Sequence, residues 1–321
     1  MDIVVVGAGS WGTALACVLS ENQHRVTLWG RDVAQMTEMS ALHENRRYLP
    51  GLRLPESLRY SSDLKASVLA LPKDAPSLVV AVVPTHTMRQ VFSEIASDLP
   101  PQVILVTASK GIENESLLTM DQVLLQVLPS TLHDRIAVLS GPSFAKETIE
   151  KHPTAVVAAA KQRAIAEAVQ KAFQVGTFRV YTSDDVIGAE IGGAVKNVIA
   201  IACGIADGLG FGHNTRAAVI TRGLAEITRL GVRLGCNPLT LAGLAGMGDL
   251  VLTCNGPLSR NRQAGLLFAQ GKNLTEVQTE MRQIAEGIRT TRSVRDLSMK
   301  VSVEMPISAA IYRVLYENQP V

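Results

Sequence analysis

Cysteine is scarce: Cys17, Cys203, Cys236 and Cys254 are the four in 321 residues, with no C-x-x-C spacing and no pairing pattern. That excludes a disulfide framework. Three of them sit in apolar helical context, where reduced core thiols are expected, and a reducing, cytoplasmic compartment follows. An excess of one charge is also missing. The formal net charge is +2 and the basic residues are scattered, so nothing electrostatic argues for nucleic acid or an anionic membrane surface. A few local cations can still hold a small anion. No charged leader or cleavage site precedes the first strand pattern, so no secretory signal is expected. No uninterrupted apolar run reaches membrane-spanning length, which points to a soluble chain without membrane insertion. Metal-ligand patterns, internal repeats, low-complexity segments and Pro/Gly/Ser-rich linkers are absent too.

What is present is ample apolar material, 47 % of the chain, enough for about two domains. The strongest local signal comes first. A short apolar strand, Ile3–Val6, runs into Gly7-Ala8-Gly9-Ser10-Trp11-Gly12 and then a helix-forming stretch. This is the dinucleotide-binding fingerprint in the strand–turn–helix context it requires. Gly7 makes the tight turn, Gly9 lets the backbone approach a pyrophosphate, and Gly12 lets helix and strand pack closely. The second strand, Arg25–Trp29, ends at Gly30-Arg31-Asp32. Arg31 stands where a 2′-phosphate would be accommodated, while Asp32 is suited to capping the next helix. Acceptance of NADP(H) is the expectation; a solvated Arg–Asp pair is the alternative.

Strand and helix patterns then alternate: strand 77–83, helix 86–96, strand 102–108, helix 117–128, strand 135–139, and an outlying strand–helix–strand over 154–181. Such alternation predicts a mostly parallel sheet covered on both faces. Ligand crevices form at the carboxyl ends of such strands, and the loop with Lys110 lies at one. That lysine either meets a phosphate or carboxylate or is simply solvated. At Ser183-Asp184-Asp185 the composition changes, and only helices are predicted beyond. The expected architecture is an α/β Rossmann-type domain, 1–183, followed by an all-α domain, 184–321.

The helical half opens with an almost wholly apolar run, 190–207, in which Glu190, Lys196, Asn197 and Asp207 are set. Charged residues are seldom buried unless paired or working. Lys196 therefore either snorkels to water or is held in a site. On a helix, Glu190 and Asn197 share a face, with Lys196 about 100° round from Asn197. A glycine-rich bend, 207–212, follows; Asn214 is suited to capping the next helix, 215–234. Asp249, beside Gly248 and flanked by Leu250 and Val251, is a buried-carboxylate candidate. Ser259-Arg260-Asn261 opens another helix, where a capping Ser, a first-turn Arg and free backbone N–H groups suit a phosphate.

Together these stretches resemble the bacterial-type NAD(P)-dependent glycerol-3-phosphate dehydrogenases. The resemblance rests on GAGSWGTALA at 7–16, SKG at 109–111, GPSFAKE at 141–147 and EIGGAVKNVIAIACGIADGLG at 190–210. NTRAAVITRG at 214–223, GLAGMGDLVLTC at 243–254, SRN at 259–261 and EG at 286–287 complete it. The resemblance implies reversible hydride transfer between sn-glycerol 3-phosphate and dihydroxyacetone phosphate with NAD or NADP, for phospholipid synthesis, in a homodimer. It implies Lys196 as the catalytic acid/base. Substrate contacts would fall on Lys110, Gly141, Ser143, Lys196, Asp249, Ser259, Arg260 and Asn261. Cofactor contacts would fall on Ser10, Trp11, Arg31, Lys110, Ala145, Arg260, Ile284 and Glu286, with Arg47 and Tyr48 in a region that can add more. Two rivals stand beside this reading: another dehydrogenase of the same architecture, and a cofactor-sensing module without turnover.

Overall fold

The computed structural model describes residues 1–281 and 285–321. The chain divides into two compact units. One comprises Met1–Ser109, Met120–Leu139 and Ser143–Val186; the other comprises Lys110–Thr119, Ser140–Pro142 and Ile187–Val321. Two short stretches that the chain order places among the strands thus group with the helical unit.

The first unit is built on an eight-stranded sheet. Its strands are β1 (Asp2–Val6), β2 (Arg25–Trp29), β3 (Arg59–Ser61), β4 (Ser77–Ala81), β5 (Ile104–Thr107), β6 (Ile136–Ser140), β7 (Thr154–Ala160) and β8 (Phe178–Ser183). Their order is β3-β2-β1-β4-β5-β6-β7-β8. β1 pairs in parallel with both β2 and β4, and the β2–β3, β4–β5, β5–β6 and β7–β8 ladders are parallel as well. β4 and β6 are buried at every position, which is what apolar strands without alternation do when helices cover both faces. Leu15 and Leu19 of the helix Ser10–Glu21 join Val5, Leu28, Leu78, Val106 and Phe173 in one core. The strand order turns back beside β1, so the switch point where such sheets bind ligands falls at the end of β1, at Gly7.

The second unit is helical. The helix Val186–Gly208 runs through its core, with Val195, Val198, Ile199, Ile201 and Cys203 fully buried. By length and mean hydropathy this helix could cross a bilayer, although Glu190, Lys196 and Asp207 interrupt its apolar run. Yet 89 % of its most apolar window is buried inside the protein, so it is a core helix. At its last turn the Asp207 side chain, 6 % exposed, accepts from Arg216 Nε and Arg262 Nε, each at 2.8 Å. One carboxylate thereby ties the helices His213–Arg233 and Arg260–Ala269 to the central one. Close packing does the rest: a Cβ on Gly204 would lie 2.1 Å from Arg262 O.

Two local expectations fare differently. Asp32 does cap its helix, Val33–Leu42, accepting from Gln35 N. Asn214 does not cap: the helix starts one residue earlier, at His213, and Gly212 in extended backbone holds the capping position.

Candidate active site

Lys196 lies near the middle of the central helix and its side chain is 8 % exposed. It does not snorkel. Its Nζ donates to Asp249 Oδ1 and, at 2.8 Å, to Thr253 Oγ1. A widened turn, Leu244–Gly248, leads into the short helix Asp249–Asn255 that presents both acceptors one turn apart. The Thr253 hydroxyl donates back to Asp249 O at 2.6 Å, which fixes its lone pairs toward the lysine. Lys110 Nζ takes the other carboxylate oxygen, Oδ2, at 2.7 Å and also donates to Gly141 O at 3.0 Å. One buried carboxylate therefore holds two ammonium groups, leaving a net positive cluster. Burial lowers the Lys196 pKa to about 8; the pull of Asp249 offsets this in part, and the neighbouring Lys110 charge adds to the lowering.

The next residue along the helix starts a second chain of hydrogen bonds. Asn197 Oδ1 accepts from Asn261 Nδ2 at 2.8 Å, and Asn261 Oδ1 accepts from Gly287 N at 2.9 Å. Asn261 belongs to the helix Arg260–Ala269, capped by Ser259, whose Oγ accepts from Arg262 N at 3.3 Å. Arg260 in the first turn is exposed. Glu286 begins the helix Glu286–Lys300; burial raises its pKa against the opposing charges of Arg260, Lys196 and Lys110. Glu190 is buried in the central helix.

The first unit holds the fingerprint. Gly7 has φ +126°, and a Cβ there would lie 2.6 Å from Val82 O; a Cβ on Gly12 would lie 1.8 Å from Gly7 O. Around Gly9, by contrast, nothing comes within 4 Å of such an atom. The helix Ser10–Glu21 starts with no side chain capping it. A closed turn, an open approach and an uncapped helix start fit a pyrophosphate. Ser10 Oγ donates to Tyr48 O at 3.4 Å, and the buried Trp11 Nε1 has no hydrogen-bond partner among the described residues. Arg31 is exposed, whereas the Asp32 carboxylate is engaged: Oδ1 by Gln35 N and Oδ2 by Arg47 at 3.2 Å. Arg47 also stacks over the Tyr48 ring, 5.3 Å from its centroid. Ser143 and Ala145 belong to this unit, Ala145 opening the short helix Ala145–Ile149. Ile284 lies outside the described residues.

A family profile described as the NAD-dependent glycerol-3-phosphate dehydrogenase N-terminus matches residues 2–166, and the C-terminus of the same family matches 185–321. The chain belongs to the NAD-dependent glycerol-3-phosphate dehydrogenase family. Among curated members, glycerol-3-phosphate dehydrogenase (NAD(P)+) of Anaeromyxobacter dehalogenans is 53 % identical over 318 residues, covering 99 % of this chain and 94 % of its own. The protein of that name from Geobacter sp. (strain M21) is 51 % identical, covering 99 % of this chain and 93 % of its own. Among solved structures, glycerol-3-phosphate dehydrogenase from Coxiella burnetii superposes with a TM-score of 0.92 at 39 % identity, over 99 % of this chain and 95 % of that one.

In this member of the glycerol-3-phosphate dehydrogenase family, the second unit brings Lys110, Gly141, Lys196 and Asp249 into one hydrogen-bonded group. Asn197 and Asn261 form a separate hydrogen-bonded chain that ends on Gly287 N. Thr253 joins the site with no motif of its own; its place four residues after Asp249 on a helix is the available signal. Asn45 shows locally only a turn-type bond from Tyr48 N to its Oδ1; its bonds to Ala8 and Thr13 have no local signal.

Proposed function

We propose that the chain catalyses the reversible reduction of dihydroxyacetone phosphate to sn-glycerol 3-phosphate with NADH or NADPH, supplying phospholipid synthesis. The observation that carries this reading is Lys196, buried in an apolar helix, tethered by Asp249 beside a second lysine, and with a pKa of about 8. When bound, the nicotinamide supplies the hydride. Lys196 donates a proton to the oxygen at C2 in the reductive direction and takes it back in the oxidative one. Asp249 fixes the lysine's position through Oδ1 and holds Lys110 through Oδ2. Lys110 and Gly141 line the same cluster as substrate contacts, with Ser143 as a further one.

The phosphate falls to Ser259, Arg260 and Asn261, where an arginine and helix N–H groups suit a dianion. Holding the phosphate away from the reacting carbon lets remote binding energy position C2. Residues 1–183 form the dinucleotide domain and 184–321 the domain that carries the catalytic lysine and the phosphate site, with each lending contacts to the other's ligand. Cofactor contacts are Gly7, Gly9, Ser10, Trp11, Gly12, Arg31, Lys110, Ala145, Arg260 and Glu286. Because Asp32 is engaged by its cap and by Arg47, the exposed Arg31 decides the charge at the 2′ position, and NADPH is accepted. The chain acts as a homodimer in the cytoplasm; its four free buried cysteines suit a reducing compartment.

The test is NAD(P)H oxidation driven by dihydroxyacetone phosphate, with unphosphorylated dihydroxyacetone and a hydroxy-acid precursor as competitors. Turnover confined to the phosphorylated triose supports the reading. Equal use of the unphosphorylated ketone removes the anion site, and nucleotide binding without turnover refutes the enzyme.

A further inference from the structure

A buried asparagine in the first unit has no part in the chemistry described so far, yet every hydrogen-bonding position of its amide is used. Asn45 is fully buried. Its Nδ2 donates to Ala8 O at 3.1 Å and to Thr13 Oγ1 at 2.8 Å. Its Oδ1 accepts from Tyr48 N at 3.3 Å and from Gln35 Nε2 at 3.4 Å. Gln35 Nε2 also donates to Ala8 O, at 3.0 Å. A carbonyl only accepts, so the Ala8 oxygen fixes which end of the Asn45 amide is the donor.

The consequence falls on the fingerprint turn. Two amide groups converge on the Ala8 carbonyl and pin the plane of the Ala8–Gly9 peptide. That peptide is trans, so the Gly9 N–H points opposite to the carbonyl, away from Asn45 and Gln35. Beside Gly9 the space is open, whereas Gly7 and Gly12 are packed against backbone. Through Thr13 the same side chain also holds the first turn of the helix Ser10–Glu21. Through Tyr48 N it holds the turn that carries Arg47 and Tyr48, where Ser10 Oγ makes a second clip on Tyr48 O. Burying an amide without full pairing would cost stability; here full pairing ties three segments of the cradle together.

We infer that Asn45 is the positioning residue of the dinucleotide cradle: by holding the Ala8 carbonyl and Thr13 it turns the Gly9 N–H toward the space where a pyrophosphate binds. The inference rests on the dinucleotide-binding reading given above.

The experiment is an NADPH titration, followed by cofactor fluorescence, together with steady-state kinetics on the full chain with Asn45→Ala, Asn45→Asp and Asn45→Leu. All three variants are expected to raise Kd and KM for NADPH roughly tenfold or more, the scale of losing buried hydrogen bonds. The KM for dihydroxyacetone phosphate and kcat at saturating cofactor should change far less. Asp and Leu keep the volume but not the donor, so retained affinity in either would show mere space-filling and overturn the inference. An equal rise in both KM values would overturn it as well. If the Asn45 variants fail to fold, Gln35→Leu decides: a rise of about threefold in the NADPH constants alone supports the pinned carbonyl, and no change refutes it. A wild type that binds NADPH but does not turn over the triose would sink the proposed function, while the NADPH titration would still judge Asn45.

Discussion

A free lysine gives up its proton near pH 10.4, too tightly held for efficient transfer at neutral pH. Burial of Lys196 brings it to about 8, within reach of both protonation states. The reductive direction needs the protonated form, so kcat for triose reduction is expected to fall as pH rises through about 8, and kcat for glycerol 3-phosphate oxidation to rise through the same value. Two variants move this limb oppositely. Asp249 raises the Lys196 pKa and Lys110 lowers it; Asp249→Asn should therefore shift the limb to lower pH and Lys110→Met to higher pH. Rate–pH profiles in both directions check this, and shifts of the same sign would contradict the electrostatics. At the cofactor end, Arg31→Asp should lower the preference for NADPH over NADH by about tenfold or more, the scale of a charge-assisted contact. An unchanged ratio of kcat/KM values would remove Arg31 from that role.

The central helix shows how an element can hold a functional group only by giving up local stability. Gly204 is a poor helix former, and alanine there would gain about 1 kcal/mol in a free helix. In place, its Cβ would meet Arg262 O at 2.1 Å, and forcing such a contact costs about 1–3 kcal/mol. The net cost of Gly204→Ala is about 0–2 kcal/mol, so the thermal midpoint is expected to fall by a few degrees at most, measured by calorimetry; a rise would show that propensity outweighs packing. Elements of this kind are partly legible beforehand. The second strand and the Asp32 cap follow from local pattern, since a cap needs only a residue three positions on. β3 escapes because it is three residues long and half exposed, with no run to detect. The start of the helix His213–Arg233 escapes because Gly212 takes the capping backbone conformation without a capping side chain.

For the molecule as a whole, the alternating first half and helical second half are visible in hydrophobic patterning alone, and the family in the quoted motifs. The wiring of the site is not. Lys196 and Asp249 are 53 positions apart, and Lys110 and Asp249 139; which oxygen takes which ammonium is a product of tertiary packing. Asn45 reaches Ala8 and Thr13 across 37 and 32 positions, and no local pattern marks those two bonds. The central claim nonetheless stands on one side chain. The most direct measurement is turnover of dihydroxyacetone phosphate by the Lys196→Ala variant, with NADPH affinity determined on the same sample. Loss of about 10²–10⁴-fold in kcat, the usual worth of a general acid, with cofactor binding preserved, is the result expected. Near-wild-type turnover in that variant would contradict the account.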